Sequence, residues 1–292
     1  MSEPSVKPVL ATLPGRLRDW ANASLNSSGG FTSRDLTADL WQAPSEGCAI
    51  VCLLDDPASA IADLADLGCA SMLAAHWVGS VLAVASNHGH ANLPRLLMRD
   101  AREDAASLCQ RMCSALALSP GIATSLALPE LRRPAGELAH DLVEGFIRPL
   151  QSFAEGAHQV ALVWPRASFR SGDRPHETAP ERVELVGPAR SLVYGPYLAL
   201  PAGWWEAELR LYFSEEACRR TFTVDMVAED NIGTIRLKPT FAGNFRTRMM
   251  FHNPRAECPL ALRIVLEHGA IEGSIGLEAV VLRHSRSEAE QS

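Results

Sequence analysis

The chain predicts a two-domain α+β protein: an N-terminal α/β layer on a small, mostly parallel sheet, followed by a C-terminal antiparallel β-sandwich. Three observations carry that expectation. At 292 residues the chain exceeds the ~100–200 residues of a typical domain. Its first half alternates short apolar runs with amphipathic stretches of helical length. From residue 158 the hydrophobic period falls to two, with turn signals separating short runs, the pattern of an all-β sandwich. The predicted bounds are 1–157 for the α/β domain, 158–284 for the sandwich and 285–292 for a polar, disordered tail.

In the first half, residues 47–54 (Gly-Cys-Ala-Ile-Val-Cys-Leu-Leu) form the first predicted strand, apolar throughout as a strand covered on both faces would be. Asp56-Pro57 supplies a cap and a first-turn proline for a helix that Gly68 closes. A second helix is predicted over 70–86, where Met72, Leu73, His76, Trp77 and Val81 recur at helical spacing. A strand follows at 93–98, then a helix near 102–116 that buries Ala105, Leu108, Met112 and Leu116. Pro134 opens another helix, with Leu138, Leu142, Phe146 and Leu150 on one face.

In the second half, strands are predicted near 159–164, 182–186, 190–194, 204–213, 219–228, 232–238, 245–252, 259–267 and 271–283. Ala207, Leu209, Leu211 and Phe213 share one side of a strand, while Glu206, Glu208, Arg210 and Tyr212 share the other. Phe222, Val224 and Met226 likewise oppose Thr221, Thr223 and Asp225. Each strand therefore has one dry and one wet side, as in antiparallel sheets. Residues 166–181, rich in Ser, Gly, Asp and Pro, read as a linker or long surface loop.

Charge and composition narrow the function classes. The formal net charge is −7, which disfavours nucleic-acid binding. Residues 1–156 hold 11 basic against 17 acidic side chains, and residues 157–292 hold 16 against 17. Lys7 and Lys238 are the only lysines, so nearly every cation is an arginine, a planar multi-donor group suited to carboxylates, phosphates or sugar hydroxyls. No apolar run approaches the ~20 residues of a membrane-spanning helix. Residues 1–13 lack the apolar core of a signal peptide. Seven cysteines, an odd number without an export signal, predict reduced thiols and a cytoplasmic location. The pairs Cys48/Cys52 and Cys109/Cys113 sit in apolar segments and read as buried small hydrophobes, not zinc ligands.

Among motifs that carry chemistry, the sequence has no G-x-x-x-x-G-K-[ST] loop, no G-x-S-x-G elbow and no H-E-x-x-H helix. No cofactor and no metal are expected. His88 and His90 read as a polar loop, and His76-Trp77 as helix packing. Should the chain be an enzyme, the candidates are Asp55, Asp56 and Arg99, at the carboxyl ends of predicted strands, where α/β sites form. Helix capping is the competing use of the aspartates. On the β half, Tyr212, Asp225, Arg236, Arg248, His252 and Arg263 fall on the wet sides of strands. An aromatic flanked by planar polar groups is what sugar recognition needs, since C–H faces stack while hydroxyls require donors and acceptors. A plain solvated sheet face, with Arg248 and Arg263 paired to Glu206 or Glu208, is the alternative.

The segment Gly195-Pro196-Tyr197-Leu198-Ala199-Leu200-Pro201-Ala202-Gly203-Trp204-Trp205, with the closing run Glu272–Leu282, resembles a carbohydrate-binding-like jelly-roll module appended to bacterial glycosyltransferases and other polysaccharide-biosynthesis proteins. That resemblance covers about 185–283. Ala49–Pro57, Trp77 and Arg95–Asp100 resemble the sulfotransferase α/β domain, in degenerate form because its phosphate loop is missing and Asp55 replaces an arginine. Together they imply a non-catalytic accessory protein of bacterial surface-polysaccharide biosynthesis, its sandwich binding glycan or docking onto a glycosyltransferase. The alternatives are a sulfo- or glycosyltransferase working at the strand ends, and a structural module whose sandwich makes a homo-oligomer.

Overall fold

Asp56 does cap the helix that follows it. Its carboxylate accepts from the backbone N–H groups of Ala58 and Ser59 (3.0 and 3.3 Å), and Pro57 occupies the first turn. The computed structural model describes residues 7–25, 31–35, 50–86, 95–100, 102–118, 126–157 and 159–285. Its chain divides into two units, Met1–Ala139 and His140–Ser292.

The first unit is built on strands β1 (Val9–Thr12), β2 (Thr32–Asp35), β3 (Ile50–Leu54) and β4 (Arg95–Met98), in the order β2-β1-β3-β4 and parallel throughout. Helix α1 (Arg16–Leu25) follows β1, α2 (Pro57–Asp66) and α3 (Ser71–Ala85) join β3 to β4, and α4 (Ala105–Ala115) comes after β4. Leu10, Val51, Leu53 and Leu97 of the sheet pack with Trp20 and Leu25 of α1 and with Leu108, Met112 and Leu116 along α4. The first three elements, β1, α1 and β2, precede the strand with which the sequence reading began. Val9–Thr12 is only four residues long, too short for its periodicity to stand out. On α3 the buried side chains are Ala74, Ala75, Val78, Val81 and Leu82, whereas Leu73 is exposed and His76 and Trp77 are half-buried. Of the residues expected to pack, only Val81 is buried; alanines, valines and Leu82 make up most of the buried side.

The second unit begins within a helix. α5 (Glu137–Leu142) runs into a π-helical turn (Val143–Ile147) and then α6 (Arg148–Ala154), burying Leu142, Phe146 and Leu150. Gly145 of the π turn lies against Val163 of the first sandwich strand. The predicted boundary at 157/158 thus falls inside the second unit, because this helical segment packs on a sandwich strand.

Ten strands follow. They are β5 (Ala161–Pro165), β6 (Arg170–Ser171), β7 (Val183–Glu184), β8 (Arg190–Ala199), β9 (Gly203–Phe213), β10 (Phe222–Val227), β11 (Asn231–Leu237), β12 (Gly243–Asn253), β13 (Pro259–Leu266) and β14 (Ser274–Ser285). One sheet has the order β11-β10-β13-β8-β6 and the other β12-β9-β14-β5, with β7 added beside β14; every pairing is antiparallel. The alternation read from sequence holds: Ala207, Leu209, Leu211 and Phe213 are buried, as are Phe222, Val224 and Met226. Trp164 and Trp205 add the largest buried side chains.

Residues 166–181 are not a linker. They hold a 3₁₀ turn (Arg166–Ser168) and β6, which pairs with β8. Phe169 between them is fully buried, edge-on to Trp164 at 6.4 Å between ring centroids. The polar composition of the segment masked this single anchor. At the far end β14 runs to Ser285, and the ring of His284 packs on Phe153 and Trp205. Cys48, His88, His90 and the tail 286–292 lie outside the described residues. The other six cysteines are free thiols. Burial pushes the thiol of Cys52 up to about 12 and is the main cause raising Cys113 to about 11, so both remain protonated.

The position of Phe169 gives a first prediction. Phe169→Ala should lower the unfolding free energy by ~3–5 kcal/mol in urea titration, the cost of emptying an aromatic core site; a residue in a solvated linker would change it by less than ~0.5 kcal/mol.

Candidate functional site

Because β9 lies between β12 and β14, its outward residues stand in rows with outward residues of both neighbours. The first row is Asn244–Tyr212–Gly276 and the second Arg246–Arg210–Ala279. Arg248–Glu208–Val281 and Met250–Glu206–Arg283 follow, and His252–Trp204–Ser285 closes the series. Tyr212 and Trp204 are eight residues apart, about 27 Å along an extended strand. The face therefore has an aromatic at each end and charge in the middle.

In the middle, Glu208 is only 3% exposed although it points away from the sandwich core. Arg248 reaches it at 3.1 Å, Arg283 at 3.5 Å and Arg210 at 3.9 Å. Arg248 and Arg283 also approach Glu206, at 3.7 and 3.6 Å. Loss of hydration would raise the pKa of Glu208, but the hydrogen bond from Arg248 and the charges of Arg283, Arg248 and Arg246 outweigh it and hold the carboxyl below its ordinary value. Arg248 thus does pair with Glu206 and Glu208, whereas Arg263, on a strand of the other sheet, pairs instead with Asp225.

At one end the rows open into a cleft of about 260 Å³ lined by Tyr212, Asn244, Arg166, Arg182, Glu278 and the backbone of Gly276. The guanidinium carbon of Arg182 lies 3.6 Å from the centroid of the Tyr212 ring, a cation–π stack. Gly276 makes this approach feasible: a Cβ there would run into the Arg182 guanidinium and come within 2.6 Å of the Glu181 carbonyl. At the opposite end, the rings of Trp204 and His252 meet at 5.1 Å between centroids, tilted 57° to each other.

The six wet-side candidates do not share a surface. Tyr212, Arg248 and His252 lie on this face, whereas Asp225, Arg236 and Arg263 lie on the outer face of the other sheet. There they are tied to one another. Asp225 accepts from Thr234 Oγ1 (2.8 Å) and Asn231 Nδ2 (3.1 Å) and pairs with Arg263 at 3.5 Å, while Arg236 forks onto Glu267. The hydrogen bonds from Arg236 and Thr223 hold Glu267 down to about 2.

In the first unit, Asp55 and Arg99 do meet at the carboxyl ends of β3 and β4, with Arg99 Nη1 3.4 Å from Asp55 Oδ1. Both are buried. Burial raises the Asp55 pKa, and Arg99, the Asp56 backbone N–H and Ser59 act against that rise. The adjoining void, about 20 Å³, has room for one water. Asp56 is the helix cap described above. Among the described residues, no group of three or more His, Cys, Asp or Glu side chains could hold a metal ion, and no helix is long and apolar enough to cross a membrane.

Sequence reasoning missed Trp204, Asn244, Arg182 and Gly276. Trp204 was legible, since it shares the alternation of Tyr212 on β9. The others gather only through strand order, which periodicity does not encode.

Two predictions follow from this geometry. Gly276→Ala should displace the Glu181–Arg182 segment and lower the unfolding free energy by ~1–3 kcal/mol, measured by urea titration. Glu208 and Glu267 are held below their ordinary values when folded, so the unfolded chain binds more protons in acid. Their contribution is fully present above about pH 4.5, the ordinary glutamate value, and for Glu267 is lost as pH falls toward about 2. Melting temperature should therefore fall between pH 5 and 2.5, and Arg236→Ala should flatten that fall.

No family model matches the chain, and no curated protein matches it. Solved structures similar to it include the CBM36-1 domain of a multidomain xylanase from the hindgut metagenome of Trinervitermes trinervoides (11% identity, 44% of this chain, 99% of that chain, TM-score 0.29). The C-terminal CBM6 of LamC, a marine laminarinase from Zobellia galactanivorans, is similar at 9% identity over 42% of this chain and 98% of that one, TM-score 0.29. TmCBM61 in complex with β-1,4-galactotriose is similar at 12% identity over 46% of this chain and 94% of that one, TM-score 0.26. Likeness of this degree leaves the reading of the site to its own geometry.

Proposed function

We propose that the sandwich binds glycan on the outer face of β12, β9 and β14, with the Tyr212 cleft as the principal subsite. The observation that supports this is the row Asn244–Tyr212–Gly276: an aromatic ring beside an amide, with the Arg182 guanidinium over the ring in the space that the glycine leaves, at the mouth of a 260 Å³ cleft. That volume is just below the ~300–1,000 Å³ of drug-sized sites and suits a single sugar ring. Asn244 and the guanidinium groups offer donors, and Glu278 and Asn244 offer acceptors, for ring hydroxyls. Trp204 and His252 give an extended saccharide a second aromatic contact further along the face.

In this reading the protein is a non-catalytic accessory of bacterial surface-polysaccharide biosynthesis that presents or retains glycan for a glycosyltransferase. The biosynthetic setting rests on the resemblance of the 195–208 and 272–282 segments alone. The first unit serves as scaffold. Its Asp55–Arg99 pair ties two strand ends together inside the protein, which favours this reading over transfer chemistry at that place.

The test is isothermal titration against a panel of neutral and acidic oligosaccharides. Tyr212→Ala should weaken binding about ten-fold, about 1.4 kcal/mol, because the ring both walls the cleft and holds the Arg182 guanidinium over it. Asp225→Ala and Arg263→Ala, on the opposite sheet, should leave it unchanged. Binding that survives Tyr212→Ala but is lost on the opposite sheet would contradict the assignment.

A further inference from the structure

The face of Tyr212 that a neutral sugar would stack on is already covered. The Arg182 guanidinium carbon lies over it, 3.6 Å from the ring centroid, against the bare backbone of Gly276. What the cleft presents is therefore a guanidinium and not an open ring. The arginines nearby differ in whether they are neutralised. Arg166 donates to the Ala179 carbonyl at 2.8 Å and has Glu181 at 4.0 Å. Glu278, the other acid of the lining, faces Arg210 at 3.8 Å. Arg182 donates only to the Glu181 backbone carbonyl, at 3.1 Å, and among the described residues no carboxylate lies within ion-pair distance of it. It is exposed, unneutralised and held over the tyrosine ring. Arg246, exposed in the adjoining row, adds positive potential on the same side.

Taking the glycan-binding reading as its basis, we infer that the cleft selects a carboxylate-bearing saccharide, a uronic-acid residue, whose carboxylate is received by the Arg182 guanidinium stacked on Tyr212. A guanidinium pinned against an aromatic keeps its N–H edge directed outward at little entropic cost, and a planar carboxylate can accept two of those N–H groups at once. Tyr212 then acts by orienting Arg182, and Gly276 by leaving the space in which it lies. Neutral sugars would bind through hydroxyl contacts alone.

Matched pairs test this: methyl β-glucoside against methyl β-glucuronide, methyl α-galactoside against methyl α-galacturonide, and cellotriose against its fully C6-carboxylated counterpart, titrated into the full-length protein. The acidic member of at least one pair should bind ten-fold or more tighter than its neutral partner, the scale of a charge-assisted hydrogen-bonded pair. That preference should shrink as sodium chloride is raised. Arg182→Gln, at an exposed position, should keep the melting temperature and abolish the preference, while Arg182→Lys should restore only part of it, having the charge without the planar fork. Equal binding of both members of every pair, lost together in Tyr212→Ala, would overturn the carboxylate selection and leave glycan binding standing. Binding of neither member of any pair would overturn both.

Discussion

Strand β9 is hydrogen-bonded along both edges, and its period of two decides what the sandwich buries and what it displays. Trp205, Ala207, Leu209, Leu211 and Phe213 fill the core, so Trp204, Glu206, Glu208, Arg210 and Tyr212 must stand on the other side. A slip of one residue would bring two glutamates and an arginine inside. The hydrophobic pattern therefore fixes the register, and the register assembles the polar face as a by-product. Nothing on that face needs to stabilise the fold strongly in order to be held in place.

Glu208 shows how the face is kept ordered. A carboxylate removed from water is unfavourable unless charge and hydrogen bonds replace its hydration. Three arginines from three strands converge on it, and two of them also contact Glu206. These pairs sit partly in solvent and add modest stability. Their larger effect is to hold Arg210, Arg248 and Arg283 on the two glutamates in the middle of the face. Arg246 beside them and Arg182, over Tyr212 at the cleft, make no ion pair among the described residues.

Much of the fold was legible because β-sandwich strands announce themselves by alternation. Each of the nine strands expected from residue 159 onward is present, and the inward set was correct residue by residue for β9 and β10. The losses have specific causes. β1 is too short to show a period, β6 hides in a polar segment whose one large buried side chain is Phe169, and α3 packs through alanines, valines and Leu82 while Trp77 is half-buried. The site was half legible. Wet sides can be read strand by strand, but the placing of Tyr212, Arg248 and His252 on one sheet, and of Asp225, Arg236 and Arg263 on the other, depends on strand order. So does the seating of Arg182 on Gly276, two residues 94 positions apart in sequence that no local pattern connects.

The central claim is that one face, that of β12, β9 and β14, is the recognition surface. It is tested most directly by mapping amide and arginine side-chain NMR shifts as an acidic oligosaccharide is added to the isotope-labelled protein. The account predicts shifts concentrated at Arg182, Tyr212, Asn244, Arg246 and Gly276, with Asp225, Arg263, Asp55 and Arg99 unmoved. Shifts centred on the Asp225–Arg263 face, or on the strand ends around Asp55, would contradict it.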